Sequence, residues 1–560
     1  MKKRYKILLF ILVLIISFLV YFNIVTKVNQ PKVDLSLLEN QTTVAYTDSL
    51  STLGNNWLHK NEYGLWEIYL EGKPFERGLA FGKLGQNLSE EKEASFVEEI
   101  QKRIPSPIYF NFLKYVVGWF NRDLENNITD EFSKEIYGSS FYMSDNYDYI
   151  APKYHRSLNY HAAHDIGHAL QNLNMVGCTA FAVKNNGSEK ENSLLVGRNF
   201  DFYFGESFAK DKLVAFVKPD SGYRFMSVTW AGFSGVVSGM NEKGLTVTLN
   251  SAKTGVITKA KTPVSIIGRH ILQFASTIDE AYEIASSYDA FVSETFLISS
   301  SIDNDVAVIE KSNIKTAIYR SKTDQTIVTN HFQSDELKDD PNNLDYLEEG
   351  VSQYRYKRVE QLLSKDSIIT PESAAYILRN QKGLNDLEIG MANEKAINQL
   401  IAHHSIIFSP HQLKVWVSAP PYQLGKYLCY DLKKIFHNDF DAQDANYIFS
   451  DSLNIAEDKF LYTKKFEKYK AYIKILDKIR LFLFQSSDEL LTEEEESLCI
   501  AYNPESYLSY YYLGDYYLLL EDYKKASNVF KTGLTKVIAR KSEKEHMEKG
   551  LETCLNHLNE

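Results

Sequence analysis

The sequence predicts an α+β protein whose sheets are covered by helices, with a membrane helix at its N-terminus and a helical extension at its C-terminus. Three observations predict this. Short stretches rich in β-branched and aromatic residues, set off by Gly, Asn and Asp, run from 179 to 250 and resume at 294–330 and 405–418. Stretches with apolar residues at helical spacing separate these sets of strands, a pattern that belongs to sheets with helices packed on them. A run without charge, Ile7 to Thr26, follows Lys2, Lys3, Arg4 and Lys6 at the start of the chain.

That run is long enough, as a helix, to cross a hydrocarbon core of roughly 30 Å. Its basic flank is expected to stay in the cytoplasm, placing everything after Lys27 on the extracytoplasmic (periplasmic) face. The residues after Phe22, NIVTKVNQPK, contain no small-x-small cleavage site, so the segment reads as an uncleaved anchor (1–27) rather than a signal peptide. Residues 28–56 are polar and read as a tether. Residues 57–177 read as mainly helical, with helical spacing over Lys83–Ile104 and Ile108–Phe120. Residues 178–435 hold the strands: Thr179–Val183, Ser193–Val196, Leu213–Val217, Phe225–Trp230, Leu245–Asn250, Glu294–Ser299, Asp305–Glu310, Gln325–Asn330, Ser405–Phe408 and Lys414–Ser418. A helical stretch from Ile266 to Ser287 lies between them. Residues 436–560 turn helical, and Tyr510, Leu513, Gly514, Tyr517, Ala526, Phe530 and Gly533 fit the spacing of one tetratricopeptide repeat. An ordinary helical hairpin fits nearly as well. One repeat cannot bury its own face, so this tail is expected to pack on neighbouring helices or on a protein partner.

Composition narrows the function. The 560 residues are too many for one core, and 44% hydrophobic with 13% aromatic content describes a folded chain of two or three domains. The net charge is −11 with acidic and basic residues mixed, which excludes the basic face a nucleic acid needs. Cys178, Cys429, Cys499 and Cys554 are too few and too scattered for a disulfide framework or a zinc cluster. His155, His161, His164 and His168 crowd one segment, and His164 and His168 share a helix face as metal ligands can. No third ligand of suitable spacing accompanies them, so a packing or processing role is expected, with no metal and no cofactor. His403 and His404 are expected to satisfy hydrogen bonds in the core.

Five motifs stand in order: GCTAF at Gly177–Phe181, GRNFDF at Gly197–Phe202, GMNEKGLTVTLN at Gly239–Asn250, TNHF at Thr329–Phe332 and SQYRYKR at Ser352–Arg358. The stretch NEKAINQLIAHHSIIFSPHQLKVWVSAPPYQLGKYLCYDL follows. Together they resemble the penicillin-precursor (isopenicillin N) acyltransferase-like family of N-terminal nucleophile cysteine hydrolases, related to choloylglycine hydrolase and acid ceramidase. The resemblance covers roughly residues 64–432 and leaves out the anchor and the helical tail. It implies a four-layer αββα sandwich.

The chemistry it implies centres on Cys178. A thiol with an ordinary pKa of about 8.5 needs a base or a positive neighbour to act as a nucleophile. In this family the base is the α-amine of the nucleophile itself, with an ordinary pKa of about 7.7–8.0. That amine exists only after self-cleavage between Gly177 and Cys178. By the same resemblance Arg198 lies beside the thiol, Asp201 receives the new α-ammonium, Asn250 donates to the oxyanion, and Asn330 orients the scissile amide or leaving amine. Arg355 matches the late arginine of the pattern, with Arg358 as the alternative. The implied activity is an autoproteolytically activated amidohydrolase or acyltransferase acting on an N-acylated, lipid-like substrate through a Cys178 thioester. A lipid esterase or lysophospholipase of the same fold, and a non-catalytic anchored scaffold, are the alternatives.

Overall fold

The computed structural model describes residues 2–40, 42–47, 49–104, 106–169, 177–185, 193–202, 205–253, 255, 260–437, 448–484 and 487–559. The architecture follows from strand periodicity. In a strand, alternate side chains face opposite sides, so a strand buried on both faces needs apolar residues at both parities. Strand Leu213–Pro219 shows this: Val214 and Phe216 enter one hydrophobic cluster, while Leu213, Ala215 and Val217 enter another. In strand Thr179–Asn185, Ala180 and Ala182 join the first of those clusters, and Phe181 and Val183 a third. The shared cluster is the space between two sheets.

Among the described residues one sheet has eleven strands and the other six. The large sheet is antiparallel except where Trp66–Gly72 runs parallel to Leu213–Pro219. Its outer face is covered by helices Pro74–Leu84, Asp130–Ser140, Val264–Phe274 and Ile278–Ser287. The outer face of the small sheet is covered by Val351–Leu363 and Pro371–Leu378. Helix, sheet, sheet, helix is the layer order. The helical stretch expected over 266–287 is two helices, because Thr277 and Glu280 form a capping box that starts the second.

The segment expected as a tether is a correction. Residues 44–47, 50–53 and 56–60 are strands of the large sheet, so 57–177 is not purely helical either. The signal was present in the sequence. Leu50 and Trp57 bury between the sheets, Leu53 and Leu58 bury under the helices, and the two-residue turn Gly54–Asn55, with Gly54 at φ 58°, joins their strands.

At the N-terminus, helix Lys2–Val25 holds a span of 21 residues, Tyr5–Val25, long and apolar enough to cross a membrane and not buried inside the protein. At the C-terminus, helices Tyr507–Leu519 and Tyr523–Gly533 pack closely, since Gly514 leaves room for the Phe530 ring. This tail shares a hydrophobic cluster with Val351, Met391, Leu400 and Leu424 of the core. Asn503 also exchanges two hydrogen bonds with the Met391 backbone, both 3.0 Å.

One ion cluster fastens the segment before position 178 to the segment after it. Glu135, buried, meets Arg77 at 3.0 Å and Arg269 at 3.2 Å, Arg269 lying on helix Val264–Phe274. Burial alone would raise its pKa, but the two guanidiniums outweigh burial and hold it at about 2. Because the folded pKa lies below the ordinary 4.5, this stabilisation is complete above that value and is lost as pH falls from about 4.5 toward 2. Glu135→Gln, which leaves two buried guanidiniums without a counter-charge, should cost about 3–5 kcal/mol in urea unfolding at neutral pH. It should also flatten the acid loss of stability over that window.

Candidate active site

Cys178 precedes strand Thr179–Asn185 with the parity of Ala180 and Ala182, so its side chain turns into the space between the sheets. Arg198, on strand Ser193–Asp201, has the parity of Leu194 and Val196 and does the same. Asn250, on Leu245–Ser251, has the parity opposite to Leu245, Val247 and Leu249 and faces them from the other sheet. Polar residues at the apolar parity, all at one end of the sandwich, make the site. Cys178, Arg198, Asp201, Asn250, Asn330 and Arg355 are each buried, with 0–1% of their surface exposed.

Two guanidiniums grip Cys178. Arg198 Nη2 donates to Sγ at 3.7 Å and to the Leu249 carbonyl, while Nη1 donates to the Val237 carbonyl at 3.0 Å and to Ser238 Oγ. Arg355, on helix Val351–Leu363, donates through Nη1 to the Cys178 carbonyl at 2.5 Å and to Thr179 Oγ1 at 2.8 Å. Its Nη2 donates to Asn330 Oδ1 at 2.6 Å. Arg358 lies elsewhere, bound to Asn380, Gln361 and Asp386. Of the two arginines, the structure brings Arg355 to Cys178. Asn330 gives both amide hydrogens to Ser251, at 3.0 and 2.9 Å, and its oxygen to Arg355. Its place is therefore to hold Arg355. Asn250 Nδ2 donates to the Val328 carbonyl at 3.2 Å, leaving its second amide hydrogen to give.

The carboxylates are the unusual feature. Neither Asp201 oxygen nor either Glu294 oxygen has a hydrogen-bond partner among the described residues. Burial pushes Asp201 up to about 7, against the pull of Arg355 and Arg198. Burial, with Asp165 nearby, pushes Glu294 well above the usual carboxylate range. The Cys178 thiol is pushed up to about 11 by burial, which the Arg198 charge only partly offsets and Asp201 and Glu294 reinforce. So placed, the thiol is protonated at neutral pH.

Two residues here, Gln399 and Glu294, were not singled out in the sequence. Gln399 Nε2 donates to the Gly177 carbonyl at 2.9 Å, and a side chain at Gly177 would collide with that amide. Glu294 opens a strand and carried no motif. His404 Nε2 lies 2.8 Å from Ser238 Oγ, the hydroxyl bound to Arg198, and its Nδ1 lies 3.0 Å from His403 Nδ1. Burial lowers the pKa of both rings well below the ordinary value. These core histidines thus continue the hydrogen-bond chain from Arg198.

Upstream, His161 donates through Nδ1 to the Ser157 carbonyl at 2.7 Å and accepts at Nε2 from the Ser234 amide at 2.9 Å. Burial lowers its pKa to about 4, so it packs as a neutral ring. The side chains of His164 and His168 lie outside the described residues, and no group of three or more His, Cys, Asp or Glu able to hold a metal ion occurs among the described ones.

Next to the sulfur, Cys178 packs with Phe200, Phe202, Trp230, Phe233 and Val237, flanked by Phe96 and Ile100. Phe96, Phe202, Trp230 and Phe233 also line a pocket together with Tyr142 and Met143. One wall of it comes from before position 178 and the other from after.

Residues 188–421 match the family model described as acyl-coenzyme A:6-aminopenicillanic acid acyl-transferase. The N-acylethanolamine-hydrolyzing acid amidase of Caenorhabditis elegans is 25% identical over 232 residues, 40% of this chain and 61% of the relative. The chain thus spans about three fifths of that relative's length. A solved Caenorhabditis elegans ortholog of that amidase is 18% identical, with a TM-score of 0.30 over 42% of this chain and 93% of its own. A mutant conjugated bile acid hydrolase from Clostridium perfringens is 13% identical, with a TM-score of 0.33 over 46% of this chain and 93% of its own. The matched span, residues 188–421, carries Arg198, Asp201, Asn250, Asn330 and Arg355, and through it the chain is similar to the acyl-coenzyme A:6-aminopenicillanic acid acyl-transferase family.

Proposed function

We propose that the protein is a self-cleaving cysteine amidohydrolase or acyltransferase that attacks an N-acylated, lipid-like substrate through a Cys178 thioester. The observation that carries this reading is the Asp201 carboxylate, buried beside Cys178 with no hydrogen-bond partner among the described residues. A buried carboxylate without a partner is costly. An α-ammonium on Cys178 is the group that would supply one.

Maturation would then run on residues gathered around Cys178. Asp201 takes the thiol proton, Sγ attacks the Gly177 carbonyl, and Gln399 stabilises the oxygen to which it is bonded. The C–N bond breaks with the proton returned to nitrogen, leaving a Gly177 thioester that water hydrolyses. Cys178 now bears an α-amine, which as ammonium pairs with Asp201. In turnover that amine accepts the thiol proton, the thiolate attacks the substrate carbonyl, and Asn250 donates to the oxyanion. The leaving amine takes the proton, and water or a second amine resolves the thioester. The pocket lined by Phe96, Phe202, Trp230 and Phe233 supports an apolar acyl chain beside the sulfur.

The printed relatives add a substrate class: one hydrolyses N-acylethanolamines. The family description includes acyl-coenzyme A, but the basic flank of the N-terminal helix would put Cys178 on the extracytoplasmic side, away from that cytoplasmic donor. An N-acyl amide at the membrane surface is therefore the proposed substrate. The helical tail is proposed as a tetratricopeptide-like hairpin, with a protein partner as its further role.

If cleavage occurs, N-terminal sequencing of the active protein should give a fragment beginning CTAFAVKNN. Cys178→Ala should abolish both cutting and activity; an active chain that remains intact rejects the mechanism. Gln399→Ala should slow cutting by roughly 10²-fold while leaving turnover by already cut enzyme near normal. Asn250→Ala should do the reverse, lowering turnover by roughly 10²–10³-fold, as followed with a long-chain N-acyl amide. Because Asp201 must be ionised to take the thiol proton, and its pKa is about 7, the rate of cutting should climb as pH rises through about 7. Asp201→Asn should remove both the cutting and its pH dependence.

A further inference from the structure

Helix Pro107–Phe120 presents an apolar stripe to solvent. Ile108, Tyr109, Phe112, Tyr115 and Val116 recur at one-face spacing and are 85, 55, 58, 53 and 43% exposed. Few soluble helices leave so continuous a row of large apolar side chains uncovered. The opposite side is fixed to the protein: Gly118 is buried, and the Phe120 carbonyl accepts from the Ala260 amide at 3.0 Å. The stripe therefore does not turn inward.

The end of the N-terminal apolar helix lies against this same helix. Phe22 stacks on Trp119 with ring centroids 6.0 Å apart and meets Tyr115 edge-on at 6.0 Å, and Tyr21 meets Trp119 at 6.3 Å. Arg122 lies over the Trp119 ring at 4.5 Å, and Lys114 donates to the Tyr149 carbonyl. Tyr and Trp at the mouth of an apolar span, with basic groups just beyond, is the composition of a membrane–water boundary.

We propose that helix Pro107–Phe120 lies in the plane of the bilayer surface, its stripe sunk among the lipid headgroups and upper acyl chains, and docks the folded domain on the membrane. The occupant is lipid rather than a protein because the stripe is continuous, through Tyr115 and Trp119, with the helix read as the anchor; the inference rests on that anchor reading. No anionic lipid is required, since apolar area supplies the attraction and the chain carries a net charge of −11. The docking also bears on substrate supply. Helix Gln86–Arg103, which supplies Phe96 to the pocket beside Cys178, ends four residues before this helix begins, so docking would hold that wall close to the membrane.

The test uses the full chain in phosphatidylcholine vesicles, labelled with an environment-sensitive fluorophore at one of four sites. Ile108→Cys and Phe112→Cys report the stripe, Ile11→Cys the anchor, and Lys524→Cys an exposed site on the tail. Lipids bearing a nitroxide near the headgroup should quench the labels at 108 and 112, which should emit to the blue of the label at 524 and resist an aqueous quencher. Labels at 108 and 112 as water-accessible as the label at 524, with the label at 11 in lipid, would overturn the docking and leave the anchor standing. A label at 11 in water would reject the anchor and the docking with it. Labels at 108 and 112 shielded from both quenchers, with cross-linking between copies, would assign the stripe to a second copy and overturn the proposal.

Discussion

Charge without enough compensation, held in the dry end of a sandwich, is the condition on which the rest of this molecule depends. Two guanidiniums, those of Arg198 and Arg355, and two carboxylates, those of Asp201 and Glu294, lie within the electrostatic reach of one thiol. The guanidiniums are met by backbone carbonyls, hydroxyls and an amide oxygen, whereas the carboxylates are met by nothing that donates among the described residues. In a low-dielectric interior such an arrangement persists only where the surrounding packing enforces it. It also makes the thiol hard to ionise, burial outweighing the Arg198 charge beside the sulfur.

The packing that enforces it comes from both sides of position 178. The segment before that residue adds Trp66–Gly72 to the large sheet in a seven-residue parallel ladder and builds one wall of the apolar pocket. It also supplies Glu135 to the buried ion cluster and covers the large sheet with two helices that approach closely through Gly78, Gly82 and Gly138. A segment so interleaved is part of the fold rather than a removable leader, and its burial is what would keep two fragments together.

A region outside the matched family span packs on a stretch that leads to the site. The C-terminal helices clasp the stretch around Met391 and Asn393, with Asn393 donating to the Val537 carbonyl at 2.8 Å. That stretch leads to Gln399 and its contact with the Gly177 carbonyl. The tail thus packs on the stretch that leads into Gln399.

The sequence by itself determined the class of structure and the polar residues of its centre. Short β-branched and aromatic stretches set off by Gly, Asn and Asp marked the strands from Thr179 to Asn250, and five ordered motifs singled out Cys178, Arg198, Asp201, Asn250, Asn330 and Arg355, because local pattern and short motifs are written in contiguous residues. Residues 44–60 were less legible, since short polar-rich strands are outweighed by their composition until a neighbouring sheet supplies the partner that buries Leu50 and Trp57. Only the tertiary structure decided between Arg355 and Arg358, three positions apart on one helix, because which of them faces Cys178 depends on how that helix sits on the small sheet. The same holds for Gln399, 222 residues from Gly177, and for the parting of Glu294 and Asp201 from any donor among the described residues. Distances between remote residues and the dielectric around a buried charge are properties of packing, and no stretch of sequence carries them.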